Sequence, residues 1–197
     1  MISSLTSDSV VDFLGGDLPL EVRKAGMNDT APLLRLINDY AAKGIMLPRT
    51  EFEMSENIRD FSVIYSGQQL IGCGALHFYS PIMGEIRSLA VDPAWKAHGI
   101  GRRMVETLVA EARQFSLDAI FAFTYVADFF RKMGFEEVER GELPLKAWKD
   151  CLRCPKFQCC DEIAMVQILR PEHWREHHLN VAPPDEPVLL PILNSAR

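Results

Sequence analysis

Apolar positions recur at helical spacing in two long stretches. In the first, Leu33, Leu34, Leu36, Ile37 and Tyr40 share one face; Asn28 or Asp29 stands where a cap is needed and Gly44 where the helix must end. In the second, Gly99 through Ser116, the residues Ile100, Met104, Val105, Leu108, Val109 and Ala112 face one way and Arg102, Arg103, Glu106 and Glu111 the other. Two shorter helices are predicted, one capped by Thr50 and running through Ile58, one from Ala127 to Met133 closed by Gly134. Between them the pattern shifts to strands. Leu20 to Ala25 alternates weakly, and Phe61–Tyr65 and Leu70–Tyr79 form a hairpin about Ser66-Gly67-Gln68. Glu85–Val91 ends at Asp92-Pro93, and Phe135–Arg140 and Glu162–Leu169 read as the last two strands. Ala119–Tyr125 is apolar without alternation, which predicts burial on both faces.

These elements divide the 197 residues into an N-terminal arm (1–18), one α/β domain (19–170) with a Cys-rich insert (143–161), and a Pro-rich tail (171–197). A helical turn is expected at Leu145–Cys151. The residues are 48% hydrophobic and 24% charged, an ordinary balance for a globular domain. The net charge of −6, without a basic tract, argues against nucleic acid and anionic membrane surfaces as partners. No apolar run reaches the ~20 residues of a membrane helix. Four of the five cysteines crowd into 151–160, too close for a disulfide framework, so a reduced, cytoplasmic protein is expected. Their spacing, Cys151-x₂-Cys154-x₄-Cys159-Cys160, is tight for a tetrahedral zinc site, and no metal is expected. Cys73, between Gly72 and Gly74, should pack inside the hairpin, and Glu136, Glu137, Glu139 and Glu142 should line a solvated strand edge.

The chemistry concentrates between Glu85 and Arg102: strand, turn, glycine-bearing loop, helix. Glycine lets backbone approach a ligand closely, and the unpaired N–H groups at a helix start attract anions. Arg102 and Arg103 add positive charge in a first turn where the helix dipole favours negative, which suits a bound phosphate. There is no Gly-Lys-Ser/Thr of a Walker loop and no full dinucleotide fingerprint.

Val91-Asp92-Pro93-Ala94-Trp95-Lys96-Ala97-His98-Gly99-Ile100-Gly101 resembles the acetyl-CoA motif of the GNAT N-acetyltransferases, Val-x-Pro-x-x-[Gln/Arg]-x-x-Gly-x-Gly, with Lys96 at the Gln/Arg position. Phe129-Phe130-Arg131-Lys132-Met133-Gly134-Phe135 is similar to that family's second motif. The resemblance implies the GNAT fold: an α/β architecture with a central mixed twisted sheet of about 6–7 strands flanked by helices, splayed at the fourth and fifth strands. It implies acetyl-CoA as cosubstrate, held by Leu89, Ala90 and Val91, by Lys96, Ala97, His98, Gly99, Ile100, Gly101 and Arg102, and beside Phe130. Leu47-Pro48-Arg49, Glu85-Ile86-Arg87-Ser88-Leu89-Ala90-Val91, Phe123-Thr124 and Glu142-Leu143-Pro144 narrow it to the amino-acid N-acetyltransferases, in particular the short form of N-acetylglutamate synthase in arginine biosynthesis.

That likeness implies acetyl transfer to the α-amine of L-glutamate. Another small amine, a peptide N-terminus, or a non-catalytic acyl-CoA-binding or cysteine-based sensing domain are the alternatives. Glu85 matches the general-base position, and Leu47, Arg49, Arg87, Ser88 and Thr124 border the acceptor. By strand alternation Arg87 shares a face with Glu85, as acceptor ligand or as ion-pair partner. The family's acid, a Tyr four residues before the Gly-Phe pair, is replaced by Phe130; Tyr125 is expected to pack. Lys156 or Arg153 is a second candidate cation. The expected partners are a small-molecule amino acid and no nucleic acid or membrane, with a homodimer left open.

Overall fold

A computed structural model describes residues 10–14, 18–143, 154, 156 and 159–174. The strands are β1 (Val10–Leu14), β2 (Leu18–Lys24), β3 (Phe61–Ser66), β4 (Gln69–Ser80), β5 (Met83–Val91), β6 (Ala119–Thr124), β7 (Glu136–Glu137) and β8 (Ile163–Ile168). The helices are α1 (Thr30–Ala41), α2 (Glu51–Asn57), α3 (Ile100–Gln114) and α4 (Ala127–Arg131). The strands form one mixed sheet in the order β1-β2-β3-β4-β5-β6-β8-β7. Every pairing is antiparallel except β5 with β6.

Strand alternation assigns the two faces of the sheet to two cores. Ile64, Ile71, Leu76 and Ile86 pack under α3 and α4 with Met104, Leu108 and Phe130. Val63, Cys73, Ala75 and Ala90 pack under α1 and α2 with Leu33, Ile37 and Met54. β6 is buried on both faces as its unalternated sequence predicts: Ile120 and Ala122 join the α3 core, Ala119 and Phe121 a third cluster with Met83 and Val166. Cys73 is fully buried, and that burial pushes its thiol up to about 12.

Gly72 and Gly74 let α3 press onto β4. A Cβ on Gly72 would stand 2.7 Å from Ile100 Cγ2, and one on Gly74 3.0 Å from both Met104 and Leu108. Gly72→Val is therefore expected to destabilise the fold by about 1–3 kcal/mol, as overpacked cores do, read as a lower denaturant midpoint at unchanged slope.

The structure departs from the pattern-based reading in four places. Residues 10–14 of the expected arm form an edge strand on β2, pairing Val10 with Val22 and Leu14 with Leu18. The strand expected over Phe135–Arg140 shrinks to Glu136–Glu137, because Arg140–Glu142 turns as a 3-10 helix in which the Glu142 carboxylate accepts from Glu139 N at 3.1 Å. Thr50 caps α2 as expected, accepting from Glu53 N, but Asp29 does not cap α1 with its side chain. Its carboxylate accepts instead from Arg23, Gly26 N and Tyr65. Residues 171–174 form one helical turn at the start of the expected tail. The helical turn expected at 145–151, Cys151, Arg153 and the tail beyond 174 lie outside the described residues. Among the described residues, no helix is long and apolar enough to cross a membrane.

Candidate active site

The parallel β5–β6 pair holds for three residues only, Met83–Glu85 against Ala119–Phe121. Beyond Glu85 the two strands diverge. A β-bulge contributes: Cys73 faces Ala90 and Ala75 faces Arg87, so Gly74 alone spans Ser88 and Leu89. Ser88 takes φ 53°, a conformation rare for a residue with a side chain. Counted from β2, the first strand foreseen in the sequence, the splay lies between the fourth and fifth strands, as expected.

A cavity of about 200 Å³ opens in the splay, lined among others by Arg49, Glu85, Arg87, Ser88, Leu89, Thr124 and Phe130. Seven residues foreseen on two separate grounds, catalysis and acceptor or cofactor binding, thus meet at one place, and Leu47 lines it too. Glu85 is 9% exposed and its Oε2 accepts from the Tyr79 hydroxyl at 3.0 Å. Thr124 is turned inward, its Oγ1 accepting from Val126 N. Phe130 stacks edge-on between Phe129 and Phe135 and forms the cavity's apolar floor.

Arg49 is set by its backbone. Asn38 on α1 accepts from Arg49 N at 2.9 Å and donates to Arg49 O at 3.0 Å, fixing the loop between α1 and α2 at this residue. Arg87 finds partners beyond its own strand: Nη2 reaches Asn57 Oδ1 at 3.2 Å and Asp60 Oδ2 at 3.5 Å. Asp60 also meets His77 Nδ1 at 2.6 Å. His77 stands opposite Glu85 across the β4–β5 ladder. Sequence reasoning missed Asn38, Asp60, His77 and Tyr79. The hairpin register would have pointed to His77, and β4 alternation to Tyr79.

The glycine loop lies at the other end of β5. Asp92 caps a 3-10 turn at Pro93–Trp95 by accepting from Ala94 N. Ala97 (φ 65°) and Gly99 (φ 78°) then turn the chain through left-handed conformations into α3. The first amide to close a turn is Arg103 N, onto Gly99 O at 2.9 Å. The N–H groups of Ile100, Gly101 and Arg102 precede it and have no carbonyl to meet within the helix. Lys96 Nζ lies 5.2 Å from the Tyr40 ring centroid, while the Tyr40 hydroxyl donates to Val91 O at 2.6 Å. His98 Nδ1 meets Lys96 O, and the exposed Arg102 pairs with Glu106. Open amides, two left-handed turns and three exposed basic side chains fit the pyrophosphate of a coenzyme A thioester. The side of Leu89, Ala90 and Val91 that β6 leaves without a strand partner leads from this loop to Glu85.

A second cavity of about 240 Å³ adjoins the first and shares with it Ile45, Met46, Leu47, Phe123, Tyr125 and Glu162. Tyr125 is 39% exposed, where packing was expected. β6 ends at Thr124, so Tyr125 leaves the sheet, and its hydroxyl accepts from Lys156 Nζ at 3.1 Å. Burial of the hydroxyl raises the Tyr125 pKa against the pull of Lys156.

The GNAT acetyltransferase family model matches residues 33–135. An uncharacterized N-acetyltransferase of Chlorobaculum tepidum is 43% identical over 148 residues, 75% of this chain and 96% of that protein. An amino-acid acetyltransferase of Mycobacterium tuberculosis is 37% identical over 137 residues, 67% of this chain and 77% of that protein. The crystal structure of N-acetylglutamate synthase from Neisseria gonorrhoeae, complexed with coenzyme A and N-acetyl-glutamate, superposes with a TM-score of 0.70 at 27% identity. The likeness covers 77% of this chain and 35% of that one, so the chain spans about a third of that enzyme's length. The chain belongs to the acetyltransferase (GNAT) family and is an acetyl-CoA-dependent N-acetyltransferase related to the amino-acid acetyltransferases.

Proposed function

We propose that this enzyme acetylates the α-amine of an amino acid, with L-glutamate as acceptor, the reaction of N-acetylglutamate synthase in arginine biosynthesis. The observation that carries the proposal is the meeting of Glu85, Arg49, Ser88 and Thr124 in the one cavity opened by the splay. An ammonium group is not nucleophilic, and α-amines with pKa about 7.7–8.0 are mostly protonated at pH 7. Glu85 takes that proton, directly or through water, while the Tyr79 hydroxyl steadies its second oxygen. Arg49 receives the α-carboxylate, a charge-assisted contact on a backbone already fixed by Asn38. Ser88 and Thr124 border the amine, and Leu47 flanks the acceptor's carbon chain. Arg87, held by Asn57 and Asp60, firms the wall behind them.

The glycine loop and the first turn of α3 hold the cosubstrate's pyrophosphate, and Leu89, Ala90 and Val91 offer backbone to its arm. Acetyl-CoA, when bound, supplies a thioester carbonyl for the amine to attack. Its thiol, with a pKa near ~8.5, leaves without a strong acid.

Arg49→Ala tests the acceptor assignment. The KM for L-glutamate should rise about thirtyfold, the equivalent of roughly 2 kcal/mol for a lost charged hydrogen bond. The KM for acetyl-CoA should stay put. An unchanged glutamate KM in a folded variant would take Arg49 out of the site.

A further inference from the structure

Tyr40, in the last turn of α1, makes two side-chain contacts that core packing alone does not require. It is 7% exposed and belongs to the core under α1 and α2, a place that Phe would fill. Yet its hydroxyl reaches β5 and donates to Val91 O at 2.6 Å. Its ring centroid lies 5.2 Å from Lys96 Nζ and 5.4 Å from Lys43 Nζ. Val91 is the last residue of β5, and Lys96 stands in the loop that runs on from it into α3. The ladder gives the direction of the Val91 carbonyl. Asp92 N donates to Ile71 O at 2.9 Å, towards β4. Successive residues of an antiparallel strand turn their backbone groups to opposite sides. The carbonyl of Val91 therefore points away from β4, to the side where β6 pairs no further than Glu85.

We infer that Tyr40 is a positioning residue for acetyl-CoA: its hydroxyl fixes the open edge of β5 for the cosubstrate's arm, and its ring steadies the Lys96 ammonium beside the pyrophosphate loop. The inference rests on the placement of arm and pyrophosphate given above. A strand end without a neighbour on one side has no ladder there to hold its carbonyls in line. The Tyr40 hydroxyl supplies that hold at Val91, from a helix anchored in the core by Leu33, Leu36 and Ile37. A carbonyl has two lone pairs, so Val91 O keeps one for the arm. Lys96 is exposed and carries a long side chain with much rotamer freedom to lose on binding. An ammonium within about 6 Å of an aromatic ring is drawn to its face, so part of that freedom is already gone before ligand arrives. Both contacts order groups in advance, and ordering in advance strengthens binding without touching the ligand. The two effects separate by chemistry: the hydroxyl acts on the arm, the ring on the phosphates.

The test compares two ligands, acetyl-CoA and the nucleotide half of coenzyme A cut off after its pyrophosphate, on the wild type, Tyr40→Phe and Tyr40→Met. Circular dichroism checks that each variant is folded. Tyr40→Phe keeps the ring and loses the hydroxyl. Its Kd for acetyl-CoA should rise about five- to tenfold, the scale of one lost hydrogen bond, while its Kd for the nucleotide half stays within about twofold of wild type. Tyr40→Met loses the ring as well, and its Kd should rise for both ligands. An acetyl-CoA Kd within about twofold of wild type in Tyr40→Phe overturns the inference and leaves the cosubstrate site standing. An equal loss for both ligands in Tyr40→Phe makes Tyr40 a packing residue whose damage spreads, and overturns it as well. An unchanged nucleotide Kd in a folded Tyr40→Met overturns the role given to the ring. If Tyr40→Met does not fold, the Phe variant decides the matter alone. Wild type that binds acetyl-CoA no more tightly than the nucleotide half defeats the placement of the arm on β5, and this inference with it.

Discussion

Glu85→Gln should lower kcat at pH 7 by about 10²–10⁴, the usual loss when a general base is removed, with acetyl-CoA binding intact. The substitution keeps the size of the side chain and an oxygen for the Tyr79 hydroxyl to meet, so the hydrogen bond at 3.0 Å can survive. Only the capacity to take a proton goes. The pH profiles should then part. The wild-type rate rises through the apparent pKa of the base and flattens. The variant keeps climbing into the range where the amine itself loses its proton, so high pH recovers part of the loss. A variant within about threefold of wild type, on the same profile, would make Glu85 an anchor for Tyr79, with catalysis left to proximity and to backbone N–H groups.

Gly101→Glu should abolish stabilisation by acetyl-CoA and leave the free protein folded. A Cβ at Gly101 meets Phe129 and Val91 at 3.6 Å, ordinary van der Waals contact, so the helix accepts it. Replacing Gly inside a helix gains about 1 kcal/mol of propensity, and an acidic residue in the first turn complements the dipole. The melting temperature of the free variant should therefore hold or rise. The carboxylate, however, projects from the turn whose amides are open, where the pyrophosphate is to bind. Ligand at a hundredfold over Kd stabilises by about 2.7 kcal/mol, roughly 5–10 °C for a chain of this size; the variant should show none of that shift. An undiminished shift would remove the glycine loop from the cofactor site.

The parts legible in the sequence are those whose signal is local. The apolar stripe from Ile100 to Ala112 needs only its own periodicity to be read as a helix, and α3 follows it. The loop before it is punctuated by Pro93, Gly99 and Gly101, each with a local conformational reason. Contacts that depend on distant pairing were not legible. β1 exists through its register with β2, and nothing in Val10–Leu14 alone distinguishes an edge strand from an arm. Tyr125 follows the last strand residue by one, so alternation no longer says where it points; its partner Lys156 is 31 positions away. Strand alternation puts Arg87 on the face of Glu85, but it could not show that α2 and the turn after it bring Asn57 and Asp60 to the Arg87 guanidinium. Glu162 read as the first residue of a strand; its place at the junction of two cavities follows from the loop between α1 and α2, more than a hundred residues earlier.

The central claim is the transfer of an acetyl group from acetyl-CoA to an amino-acid α-amine. A screen of the free amino acids, following release of coenzyme A and the mass of the product, tests it most directly. The account predicts acetyl-CoA-dependent formation of an Nα-acetyl amino acid, with L-glutamate among the acceptors and the activity lost in Glu85→Gln at neutral pH. Release of coenzyme A with no free amino acid as acceptor, by protein that binds acetyl-CoA, would contradict it.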